Sequence, residues 1–110
     1  MQNERSASDA EMFPAGFKAF GLGRVVGVPT MGAVIGTGEY TLLDGSTIST
    51  PDRGVWTTTS QNMENDGVPP DVYVDNLPGD FLRWRDAQIE KAVEVLKAEL
   101  AGKKSTAAQQ

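Results

Sequence analysis

Apolar positions recur at helical spacing near each end of the chain and gather into short β-type runs between. Near the start, Phe13, Phe17 and Phe20 repeat at intervals of four and three, which predicts a helix over residues 8–20 with one greasy face. Ser8 and Glu11 fit the S-x-x-E capping box, in which hydroxyl and carboxylate reciprocally satisfy free backbone donors and mark a helix start. Pro14, one turn further in, removes a helical hydrogen bond and predicts a kink or a delayed second start. Gly21 and Gly23 supply the stop.

Residues 24–28, RVVGV, form a β-branched run of the kind buried in a parallel sheet, and helix followed by strand predicts an α/β crossover. The glycines at 32, 36 and 38 predict a loop over 29–38. Residues 39–43, 47–50 and 54–58 are rich in Thr, Val, Ile, Tyr and Trp, and Asp44, Gly45 and Ser46 join the first two as a hairpin, so the middle third reads as antiparallel β. Residues 61–71 are polar and turn-rich, ending in paired prolines, and 72–74 form a last short strand. From Asp86 onward Ile89, Ala92, Val93, Leu96 and Leu100 follow a helical spacing, with acidic residues early and Lys97, Lys103 and Lys104 late, as the helix dipole favours. The polar residues 102–110 predict a frayed, disordered tail.

Composition narrows the chemistry. At 110 residues the chain fits one domain that buries roughly 65% of its unfolded surface. The net charge of −5, with ten scattered basic residues, offers no electrostatic footprint for nucleic acid or an anionic membrane. With no Cys there is neither a disulfide framework nor thiolate chemistry. With no His, the usual general base near neutral pH is absent too. No apolar signal region and no stretch approaching ~18 apolar residues appears, so neither Sec secretion nor a membrane span is expected. A first helix beginning within ten residues, with no strand before it, predicts a truncated beginning.

Ser8 is the one nucleophile candidate with a physical rationale, because the free N–H groups of a helix start can stabilise an oxyanion beside its hydroxyl. Ordinary capping accounts for the same spacing, and both alternatives stand. Glycines 32, 36 and 38 lack the strand, glycine order and lysine of a phosphate loop. Glu64, Asp66 and Asp71 cluster in one polar segment that could hold a metal or polarise a base, although without ligand spacing a solvated turn explains them as well.

Taken in order, the motifs resemble the tail-specific and tricorn serine peptidases. The matching residues are Asn3 and Glu4 before Ser6, Ala7, Ser8 and Asp9, then the GLGRVVG run 21–27, Thr30 with Gly32, the run E-N-x-G-V-x-P-D from Glu64 to Asp71, and the helix opening at Arg85. The resemblance implies a C-terminal fragment of a crotonase-like α/β protease core over residues 1–101, closed by the amphipathic helix. It implies Ser8 as the nucleophile that forms an acyl-enzyme, Asp9 as the source of a backbone oxyanion donor, and Glu64 as the polariser of a His. Tail-specific relatives carry a Lys in a T-x-G-K segment where this chain has Ala33, so no dyad forms there, and Lys18 is the nearest alternative. Tricorn-type enzymes take a His from upstream sequence, which this chain lacks. The implied whole is a cytoplasmic endopeptidase of oligopeptides, homo-oligomeric and without a cofactor, whose N-terminal protease half is missing here. The fragment alone is then expected to be inactive. A catalytically silent crotonase-fold module that binds a peptide or apolar ligand is the alternative.

Overall fold

The computed structural model describes residues 1–107, with side chains as far as Gly102. Its element order is α1 (Asp9–Ala19), β1 (Val26–Gly27), β2 (Gly36–Thr41), β3 (Thr47–Arg53), β4 (Val72–Tyr73), α2 (Pro78–Leu82) and α3 (Ala87–Ala107). The expected tail thus falls on the last turns of α3 and, from residue 108, outside the described residues.

Helix α1 runs through Pro14 without a break, although the ring leaves the Ala10 carbonyl without its intrahelical donor. It ends as the glycines predict: Leu22 N–H donates to Phe17 C=O at 3.1 Å and Gly21 N–H to Lys18 C=O at 3.0 Å, with Gly21 at φ +62°. This paired pattern satisfies two orphan carbonyls and needs a left-handed residue at Gly21.

Strand β1 pairs in parallel with β4, Val26 opposite Val72 and Gly27 opposite Tyr73, while Gln2 bridges Gly27 on the other side. Val25, Val26 and Val28 are buried, and α3 packs on β1 and contributes the buried Val95. A second small core gathers Val34, Met63 and Val68, with Ala15 and Val55 against it. At Gly27 a Cβ would stand 1.9 Å from the Gln2 carbonyl oxygen, so a bare backbone is what lets the N-terminal segment lie on this strand.

The middle third departs from expectation. Strands β2 and β3 form an antiparallel hairpin closed at Asp44–Ser46, but Gly36 and Gly38 lie in β2 rather than in a loop. The Arg53 and Asp52 side chains lie across them, at 3.0 Å from where a Cβ would stand at each position. No strand forms over 54–58: only Trp56 bridges Asn62, because Thr57 N–H donates to Gln61 C=O and turns the chain back at once. Residues 78–82 fold into α2, which no periodicity marks; the Asp80 carboxylate accepts from Leu77 N–H at 3.0 Å.

Helix α3 starts where expected. Asn76 Oδ1 accepts from Ala87 N–H at 2.7 Å and Asp86 Oδ1 accepts from Ile89 N–H at 3.0 Å. Its buried side, however, is Gln88 and Val95, whereas Ile89, Val93, Leu96 and Leu100 face outward. The chain is extended, with a radius of gyration of 18.7 Å, where a compact domain of its length has about 13 Å. Its accessible surface is 8100 Å², against about 5900 Å² for a compact monomer of this mass.

Candidate functional site

The start of α1 is strained. Ser8 sits at φ 55°, ψ −122°, a conformation that costs a non-glycine residue on the order of 1–3 kcal/mol and persists only where neighbours over-determine it. Here they do. Ser8 N–H donates to the Ala33 carbonyl at 2.9 Å, and Ser8 C=O accepts from Glu11 N–H at 2.8 Å and Met12 N–H at 3.2 Å. The residue is exposed, and its Oγ makes no hydrogen bond among the described residues. Asp9, also exposed, is the first residue of the helix, and its N–H has no acceptor among the described residues. A free hydroxyl therefore stands beside a free amide at the positive end of a helix dipole.

The expected capping box does not form. Ser8 makes no side-chain cap bond, and Glu11 turns inward onto the 30–33 loop while its carboxylate stays near enough to Ser8 N–H to be stabilised by it. At 1% exposure it is the most deeply buried large side chain. Its Oε2 accepts from the Thr30 hydroxyl and from Gly32 N–H at 2.7 Å, and its Oε1 accepts from Ala33 N–H at 2.7 Å. Burial pushes the Glu11 pKa up, but the Thr30 hydroxyl and the backbone N–H groups of Gly32, Ala33 and Ser8 outweigh it and hold the carboxyl below its ordinary 4.5. The capping box offers Glu11 one donor three residues back; a loop about twenty residues away offers three more that converge, and a buried carboxylate needs them.

The other end of that loop is held by Glu64, whose Oε2 accepts from Val34 N–H and Ile35 N–H, both at 2.7 Å. The Ala33 carbonyl and the Val34 N–H belong to one amide, so Ser8 and Glu64 are bonded to opposite edges of the same peptide plane. The Ser8 nitrogen lies within about 8 Å of the Glu64 carboxylate, given standard amide dimensions. The structure therefore ties Ser8 and Glu64 to the single Ala33–Val34 amide of the 30–35 loop, one from each edge, with Asp9 next to Ser8. Glu64 is itself positioned by a close backbone approach: Gly32 C=O accepts from Asn65 N–H at 2.7 Å, and a Cβ at Gly67 would stand 2.1 Å from the Thr30 carbonyl oxygen. The T-x-G and E-N-x-G-V motifs are thus two halves of one packed junction, which Thr30 completes by accepting from Val68 N–H at 2.7 Å.

The remaining candidates are engaged elsewhere. Lys18 donates to the Pro69 carbonyl and pairs with Asp71 at 3.2 Å, roughly 15 Å along α1 from Ser8 at 1.5 Å per residue. Asp71 also accepts from Val25 N–H at 2.7 Å, and Asp66 accepts from the Gln61 amide. Glu64, Asp66 and Asp71 thus serve three different partners, and no group of three metal-type ligands gathers among the described residues. Reading the chain locally missed the roles of Glu11 and Thr30, because nothing near either residue marks a contact to sequence so distant.

Comparison with known proteins places this geometry. Peptidase family S41 matches residues 1–74. The Tricorn protease of Thermoplasma acidophilum is 38% identical over 100 residues, 89% of this chain and 9% of that protein. Tricorn protease homolog 1 of Streptomyces coelicolor is 42% identical over the same shares of each. The crystal structure of the tricorn protease superimposes with a TM-score of 0.84 at 36% identity, covering 89% of this chain and 10% of that one. The chain spans about a tenth of the length of these relatives. The α/β class and the placement within a tricorn-type protease core hold as read from the motifs.

Proposed function

The chain belongs to peptidase family S41, and from that premise we propose that it carries the nucleophile of a serine-type endopeptidase acting on oligopeptides. One observation carries the reading: Ser8, at φ 55°, presents an uncommitted Oγ next to the uncommitted N–H of Asp9 at a helix start. In the proposed step Oγ attacks the scissile carbonyl carbon while its proton passes to a base. The carbonyl oxygen gains the negative charge, and Asp9 N–H donates to it. Collapse of the tetrahedral intermediate breaks the C–N bond, the base returns the proton to the leaving amine, and water then hydrolyses the acyl ester by the same steps in reverse.

The base is a His supplied by polypeptide outside this sequence, since these 110 residues contain none. Glu64 orients and stabilises it: Oε2 is occupied by Val34 and Ile35, while Oε1 has no partner among the described residues and can accept from the incoming base. The other protease half also accounts for the outward apolar surface. The excess of roughly 2200 Å² over a compact monomer exceeds the ~800 Å² per side of a standard interface. Homo-oligomeric assembly and a cytoplasmic setting belong to the same reading, and the chain alone is inactive within it.

The test is labelling by a fluorophosphonate probe of the protein or complex that contains this chain with its His-bearing half. Labelling on the peptide that holds Ser8, lost in Ser8→Ala, is the expected result. A complex that stays unlabelled while binding peptides would make the chain a silent binding module instead.

A further inference from the structure

A ring of three hydrogen bonds closes behind the nucleophile. The Glu11 carboxylate accepts from Ala33 N–H at 2.7 Å, the Ala33 carbonyl accepts from Ser8 N–H at 2.9 Å, and the Ser8 carbonyl accepts from Glu11 N–H at 2.8 Å. Each residue both gives and receives, so the Ser8 backbone is gripped at both of its polar groups. Two further donors, the Thr30 hydroxyl and Gly32 N–H, fix the other carboxylate oxygen and prevent Glu11 from swinging out. Capping alone accounts for the bond from Glu11 N–H to the Ser8 carbonyl and for the pull of Ser8 N–H on the carboxylate, but not for the three donors that reach Glu11 from residues 30–33. A strained residue needs over-determination from its surroundings, and Glu11 supplies it at Ala33, the residue whose carbonyl holds Ser8 N–H.

We propose that Glu11 is a positioning residue which, through Ala33, holds Ser8 in its left-handed conformation and so aims Oγ and Asp9 N–H at a common point. Its ionised form is the one these contacts favour, since the Thr30 hydroxyl, Gly32 N–H and Ala33 N–H all donate to the carboxylate. In Glu11→Gln one amide nitrogen must face a backbone N–H, whichever way the side chain is flipped. The effect at catalysis rests on the peptidase reading above; the effect on the Ser8 backbone does not.

The two are separable by experiment. Amide hydrogen exchange in the complex that contains the full chain reads the ring without requiring activity. Glu11→Gln should speed exchange at Ser8 and Ala33 at least tenfold, while Val74, bonded to the Gly27 carbonyl at 2.9 Å in the β1–β4 pair, keeps its protection. In the same variant the fluorophosphonate labelling rate at saturation should fall at least tenfold with the half-saturating probe concentration unchanged. If the fold as a whole loosens in Glu11→Gln, Glu11→Asp is read in its place: it keeps the charge, loses one methylene of reach, and should show the same local pattern. Acceleration at Gly32 and Ala33 with Ser8 unchanged overturns the proposal, because Glu11 would then hold only the loop. Faster Ser8 exchange with unaltered labelling overturns the aiming role. Absence of labelling in the unsubstituted complex counts against the peptidase reading and leaves the exchange result to decide the ring.

Discussion

At the scale of single residues, carboxylates do the joining. Glu11, Glu64 and Asp71 each accept backbone amides from a distant segment, and each ties α1 or its flanking loop to the rest. Asp71 makes the consequence measurable. The Val25 N–H holds its pKa below the ordinary 3.8, and burial opposes this while Lys18 adds to it. A depressed folded-state value means that the stabilisation is fully present above the unfolded value of about 3.8 and disappears as pH falls through the lower folded value. Asp71→Asn should therefore be less stable than the unsubstituted chain at pH 7, with the gap closing as pH falls below 3.8, as read by urea unfolding across that range. A gap that stays constant with pH would mean that the carboxylate charge is irrelevant. Ser8 and Glu64 stood out as candidates in the sequence because their motifs are short and ordered. The inward turn of Glu11 was not, because its partners Thr30, Gly32 and Ala33 lie 19 to 22 positions away and a local capping pattern explained it first.

At the scale of elements, local signals predicted ends better than faces. The Gly21 stop of α1, the Asp44–Ser46 turn and the start of α3 at Asp86 all depend on atoms within a few residues, and all appear where the sequence puts them. Asn76 is the exception, a distant cap. Its Oδ1 takes both Ala87 and Gln88 N–H, so Asn76→Ala should destabilise the chain by about 1 kcal/mol, within the range for a lost N-cap. Thermal unfolding followed by circular dichroism checks this, and an unchanged midpoint would show that the Asn76 acceptor is irrelevant to stability. The β-rich middle was legible as a hairpin but not in its limits. Gly36 and Gly38 looked like loop residues because their use depends on Arg53 and Asp52, side chains from the opposite strand.

At the scale of the whole molecule, the outward apolar stripe of α3 matters most. Ile89, Val93, Leu96 and Leu100 are exposed together with Trp84 at 98%, although periodicity marks them as a core-facing side. The chain made by itself should accordingly bind a hydrophobic dye and elute with an apparent mass above 11.8 kDa. Replacing Val93 and Leu96 with Gln should reduce both effects without lowering helix content, and unchanged dye binding would show that the stripe is not responsible. By itself the sequence determined the family, the two long helices with a hairpin between them, and Ser8, Asp9 and Glu64 as candidates, since these follow from short motifs, local hydrogen bonding and the periodicities of helix and strand. Only the tertiary structure decided that Ser8 is strained rather than capping, that Glu11 is buried behind it, and which side of α3 is covered. Those outcomes depend on which distant donors and surfaces a side chain meets, and a pattern of near neighbours carries no record of them.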